Sequence, residues 1–210
     1  GVSLDICNGP GYTGPVAGRQ ITGNFFWNEA GEYWPSISFS GSGSGVPWFI
    51  YPVGGAVITG NTFTNTDEET GKHIRARATY RESDFDWASI WNNNTFNKAV
   101  IVGVNPPADI RTYSYTSGTY VFNSVRQIGA VIQQEIDHAV AGDVIKTKAG
   151  VYTEQLHITT NNLTIEGAGK SSTFVKSPAD MTDYFTTTVN NYPIVFVDGV
   201  SAFTVKNLTV

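Results

Sequence analysis

Ile21-Thr22-Gly23-Asn24-Phe25-Phe26 returns in the chain as Ile58-Thr59-Gly60-Asn61-Thr62-Phe63, and Asn94-Thr95-Phe96 repeats its second half. The steps are 37 and 33 residues. Short strand-turn units recurring at such periods are the signature of a solenoid, in which each unit buries its apolar side against the next. The Asn after each Gly is expected at a coil corner, where left-handed backbone is tolerated. A second match, Asn162-Leu163-Thr164-Ile165 with Asn207-Leu208-Thr209-Val210, predicts the same stacking at the far end. Runs rich in β-branched and aromatic residues at 36–39, 48–51, 56–59, 73–80, 99–102 and 113–115 read as strands between Gly, Asn and Asp breaks.

One segment departs from the β pattern. Val125, Ile128, Ile132, Ile136, Ala139 and Val140 recur at helical spacing, so an amphipathic helix is expected over about 124–141. Ser124 with Gln127 forms a capping box at its start, Gly142 supplies its stop, and His138 in the last turn suits the helix dipole. It is the one helix the sequence predicts.

The stretch that follows carries a resemblance. Gly142-Asp143-Val144-Ile145, then Ala149-Gly150-Val151-Tyr152-Thr153-Glu154, then Leu163-Thr164-Ile165-Glu166-Gly167-Ala168-Gly169 resemble the opening phrases of right-handed parallel β-helix proteins of the pectin-lyase-like superfamily. The resemblance covers 124–210 and implies that the helix caps a first coil, with later coils stacked on it. The phrases at 21–26 and 58–63 resemble later coils of the same kind. It implies an all-β fold of β-helix coils with one capping helix in mid-chain: 1–110 as late-type coils with Gly-rich loops, 111–210 as cap and first coils. The order is inverted relative to that family, with late-type coils ahead of the cap and an end at Val210 in mid-solenoid. Two open pieces in this order suggest a polymer in which one protomer is continued by the next, or a fragment of a longer tandem-repeat surface protein. Pectin-degrading members place their catalytic acids and arginines on coils beyond the first two, so the resemblance implies no catalytic residue here.

Composition narrows the partners. The net charge is −5, only 15% of residues are charged, and no basic run offers a footprint for nucleic acid. No apolar run is long enough to span a bilayer. The single cysteine, Cys7, excludes an internal disulfide framework and leaves either a buried thiol or an intermolecular tie. Arg75, Arg77 and Arg81 alternate along one strand face and could grip carboxylates of an acidic polysaccharide or a partner, unless neighbouring acids neutralise them. Asp84-Phe85-Asp86 is the best carboxylate pair for glycoside chemistry; no cofactor is expected, calcium being the one ion such acids could take. Asn93, Asn162 and Asn207 open glycosylation sequons. Phe25, Phe26, Trp27, Tyr33, Trp34, Trp48, Phe49, Tyr51, Trp87 and Trp91 crowd the first half, more aromatics than a core needs.

The expectation is an extracellular structural protein, not an enzyme, that stacks head-to-tail with copies of itself into a surface layer, sheath or fibre. Phe203, Val205, Leu208 and Val210 at one open end, the region after Val16 at the other, and Cys7 as a covalent tie would make the contacts. The alternative is a carbohydrate-active or carbohydrate-binding β-helix working through Arg75, Arg77, Arg81, Asp84 and Asp86.

Overall fold

A computed structural model describes residues 4–6, 19–28, 35–39, 56–66, 71–77, 86–103, 114–116, 119–121, 125–184 and 191–210. These hold nineteen strands and two helices, an all-β fold. In chain order they are β1 (Leu4–Ile6), β2 (Gln20–Thr22), β3 (Phe25–Asn28), β4 (Ile37–Phe39), β5 (Val57–Thr59), β6 (Thr62–Asn65) and β7 (Lys72–Arg77). Then come α1 (Trp87–Asn92), β8 (Thr95–Phe96), β9 (Val100–Val102), β10 (Ser114–Thr116), β11 (Thr119–Val121), β12 (Val125–Gly129) and α2 (Ile132–His138). The rest are β13 (Val144–Thr147), β14 (Gly150–Thr153), β15 (Leu156–Ile158), β16 (Leu163–Glu166), β17 (Thr173–Lys176), β18 (Val195–Val197) and β19 (Phe203–Lys206).

The repeats stack in register. β2 pairs parallel with β5, Ile21 on Ile58, and β3, β6 and β8 form a parallel sheet with Phe26, Phe63 and Phe96 in one column. Parallel neighbours lie about 4.8 Å apart, so like side chains in register must stack. The three Phe rings do so at centroid distances of 4.9 and 5.1 Å, within 12° of parallel. In the third rung α1 packs on β5 where a strand would lie, and it buries Trp87, Ile90 and Trp91.

Beside the Phe column runs an amide ladder. Asn61 Oδ1 accepts from the backbone N–H of Asn24 at 2.9 Å and from its side-chain amide at 3.1 Å, and Asn94 Oδ1 accepts the same pair from Asn61 at 2.9 Å each. Asn94 then donates to the carbonyls of Ile58 and Ile90, tying the ladder to α1. The corner residue is therefore the glycine: Gly23 and Gly60 both take φ of +69°, while the Asn turns inward. That corrects the expectation of a left-handed Asn at this corner, because an amide pointing outward could not bridge the rungs. Asn162 and Asn207, at φ of 55° and 58°, do adopt the left-handed geometry.

The far end also stacks in parallel: β13–β16–β19, β14–β17 and β15–β18. Leu163 sits on Phe203, not on Leu208, and Thr209 instead bridges Phe174. The second sequence match is thus out of register with the actual stacking. Leu208 does contact the core, and Gly167 meets the backbone of Asn207 so closely that no side chain fits there.

Within each of two sets, β1–β4–β7 and β13–β16–β19, the strands run parallel, but the sets meet antiparallel. β12 lies against β7, Ile128 opposite Ile74, and β9 lies against β13, Ile101 opposite Lys146; together they complete one eight-stranded sheet. β9 is covered on both sides: Ile101 enters one core and Val100 and Val102 the other, which fits its unbroken apolar sequence.

The helix expected over 124–141 divides into β12, the turn at Ala130, and the seven residues of α2. Val125–Gly129 is taken by pairing with β7, so the Ser124–Gln127 capping box does not form; Ser124 itself lies outside the described residues. α1 is a second helix, begun by Asp86, whose carboxylate accepts from Ser89 N at 2.8 Å. Truncating the Phe column should be costly and its outer neighbours cheap: Phe63→Ala is expected to destabilise by about 3–5 kcal/mol and Trp27→Ala by less than about 0.5 kcal/mol, read from urea unfolding.

Candidate functional site

Tyr152 and Glu154, from the Ala-Gly-x-Tyr-x-Glu phrase, are buried and structural in their contacts. Tyr152 Oη accepts from Ala99 N at 3.1 Å and lies 2.9 Å from the carbonyls of Ala99 and Lys148, binding β14 to the chain ahead of β9. Burial raises its hydroxyl above the ordinary tyrosine range. Val131, the N-cap of α2, makes no side-chain cap bond; the two Glu154 carboxylate oxygens instead accept from Ile132 N and Gln133 N, each at 2.9 Å. An acid from another strand thus neutralises the unsatisfied N–H groups and positive end of the helix.

His73 lies wholly buried beside the Phe column, 5.9 Å from Phe63 and 5.2 Å from Phe96 by ring centroids. Its Nε2 is 2.7 Å from the Lys98 carbonyl oxygen. Burial holds its pKa down at about 4, the Lys98 charge adding to the effect against the pull of that hydrogen bond. His138 is also lowered, by desolvation and by the Arg75 charge.

The arginine and acid set is not brought together among the described residues. Arg75 is half-buried on β7 beside Gln127 in register, Arg77 ends the same strand, and Asp86 caps α1. Arg81 and Asp84 lie outside the described residues, as do Cys7, Tyr33, Trp34, Trp48, Phe49 and Tyr51. Phe203 and Leu208 are half-buried, whereas Val205 and Val210 are exposed. Asn93, Asn162 and Asn207 are exposed. Among the described residues no three His, Cys, Asp or Glu side chains are grouped to hold a metal, and no helix is long and apolar enough to cross a membrane.

Of the aromatics, Trp87 and Trp91 are core, and Lys148 sits over the Trp91 ring at 4.6 Å. Phe25 and Trp27 are 63% and 58% exposed and face outward from β3, with ring centroids 6.4 Å apart at 83°. A second outward group joins His157 on β15 to Phe196 on β18 and to Tyr184, with stacking distances of 4.5–5.1 Å, and Asp198 lies 3.2 Å from His157. The sequence reading overlooked both His157 and the Asn ladder; Asn24, Asn61 and Asn94 at one phase of the repeat were the available signal. No protein-family model, curated protein or solved structure matches the chain.

Two outcomes follow from the buried groups. His73 stays neutral in the fold but takes a proton near pH 6.5 when unfolded, so its contribution is complete above about pH 6.5 and fades as pH falls toward 4. The loss is of order 3 kcal/mol, and His73→Phe should flatten the urea midpoint against pH over that window. Glu154→Ala is expected to destabilise by about 1–2 kcal/mol through the uncapped α2, measured by thermal unfolding at pH 7.

Proposed function

We propose that the chain is an extracellular structural protein, built of right-handed parallel β-helix coils and assembling head-to-tail with copies of itself into a layer, sheath or fibre. The observation that carries this reading is the in-register stacking of like on like through the Phe column and the amide ladder. At its α1 end the ladder closes on Ile58 and Ile90; at its Asn24 end nothing among the described residues closes it. Asn24 Oδ1 has no donor among the described residues, and Asn24 is the last described member of its ladder, placed to accept what Asn61 accepts from Asn24. At the other edge β19 is paired by β16 and by no other strand among the described residues, and Val205 and Val210 are exposed there. The resemblance of 124–210 to pectin-lyase-like proteins supports the coil geometry and the location outside the cell. Low charge supports the stacking, since edge charges are what usually prevent strand-to-strand association.

Because the two parallel sets run opposite ways, β19 of one copy and β1 of the next, related by translation, would meet antiparallel. That is the geometry already used between β7 and β12. Sedimentation velocity and electron microscopy of the purified protein test the reading. Mass is expected to rise with concentration into linear particles, and Val205→Lys, a charge on the joining edge, should shift the equilibrium at least about tenfold toward monomer. Monodisperse monomers at millimolar concentration would overturn it.

A further inference from the structure

The outward side of the β3–β6–β8 sheet is unlike its inward side. Inward, Phe repeats in every rung. Outward, Phe25 and Trp27 of β3 are followed in register by Thr62 and Thr64 of β6 and by Thr95 of β8. The exposed ranks therefore present one aromatic pair and three hydroxyls, with no ionisable side chain among them. The 83° angle between the rings makes a corner, one ring serving as floor and the other as wall. Where these strands end, Asn65, Thr66, Asn97, Lys98 and Val151 line an open hollow of about 310 Å³. Asn28 pairs in register with Asn65, so the hollow adjoins the Trp27 end of the corner.

We propose that this face binds an uncharged pyranose polysaccharide, one sugar ring stacking in the Phe25–Trp27 corner and the chain running over the threonines toward the hollow. A pyranose offers an apolar C–H face to an aromatic ring and hydroxyls around its rim, which is the mixture displayed here. Size speaks against a protein: the described ranks, three at about 4.8 Å by two side chains at about 7 Å, cover roughly 100 Å², whereas a stable protein partner needs about 800 Å² on each side. Charge speaks against nucleic acid, since the ranks hold no cation, the hollow has a single lysine, Lys98, and the chain carries a net −5. The rings point sideways from β3, which is also the strand beside the Asn24 edge, so binding is tested on unassembled protein.

Affinity electrophoresis through gels containing hydroxyethylcellulose, xylan, laminarin or polygalacturonate tests the proposal, with Val205→Lys as background to hold the protein unassembled. At least one neutral polysaccharide is expected to retard the protein, and Trp27→Ala to weaken that retardation about tenfold while unfolding at the same urea concentration. Phe25→Ala should weaken it less, and Thr64→Val, which keeps the shape and removes the hydroxyl, should weaken it measurably. Retardation by no neutral polysaccharide, retardation by polygalacturonate alone, or retardation unchanged in Trp27→Ala would each overturn the assignment.

Discussion

The spacing between parallel strands governs this molecule. At about 4.8 Å, a side chain in register has its counterpart in the next rung as its nearest neighbour, so whatever occupies a column must tolerate contact with its own kind. Phe and Ile satisfy that by stacking apolar surface, as at Phe26–Phe63–Phe96 and Ile37–Ile74. Asn satisfies it because its amide both donates and accepts, so each residue can give to one neighbour and receive from the other. A buried acid or base in such a column would repel its copy. The low charge of the whole chain is the compositional trace of this constraint.

The same constraint explains the middle of the chain. A parallel stack can be continued by another strand of either direction, provided its backbone groups reach the edge. β12 and β9 use this freedom to join two oppositely running sets into one sheet. The joint has further fastenings: Tyr152 holds the backbone of Ala99, Lys148 covers Trp91, and Gln127 donates to Glu135 at 2.7 Å. The phrase around Tyr152 and Glu154 is thus a fastening sequence, both of those side chains bonding backbone atoms of other elements.

All-β character and the rung repeat were legible in the sequence because the stacking constraint writes itself as repetition: Ile21 and Ile58, Asn24 and Asn61, Phe26 and Phe63 are partners in space and matches in sequence. The misreadings have physical causes as well. Val125, Ile128, Ile132 and Ile136 fit a helical period, but Gln127 and Ile128 are both buried, since β12 is covered on each side, and a strand of that kind followed by a turn and a short helix gives the same spacing. The match of 162–165 with 207–210 reflects two turns of the same left-handed Asn type, a local similarity that implies nothing about register. Asp86 suits a carboxylate pair and a helix cap equally by sequence; the structure shows the cap through Ser89 N, and Asp84 lies outside the described residues.

Repetition also tells where not to look for function. An inward position is fixed by its column, so Phe63 reports on Phe26 and Phe96 and on nothing outside the molecule. An outward position is under no such obligation, and there the rungs differ: Phe25, Thr62 and Thr95 share one column, and Trp27 and Thr64 another. Two large rings left 63% and 58% in water oppose solubility, and beyond their contact with each other they add little to the core. His157 under Phe196 is a weaker case of the same kind, since its ring is partly satisfied by Tyr184 and Asp198. In a stacked fold, the side chain that breaks its column on the outer face is the one whose partner must be sought elsewhere.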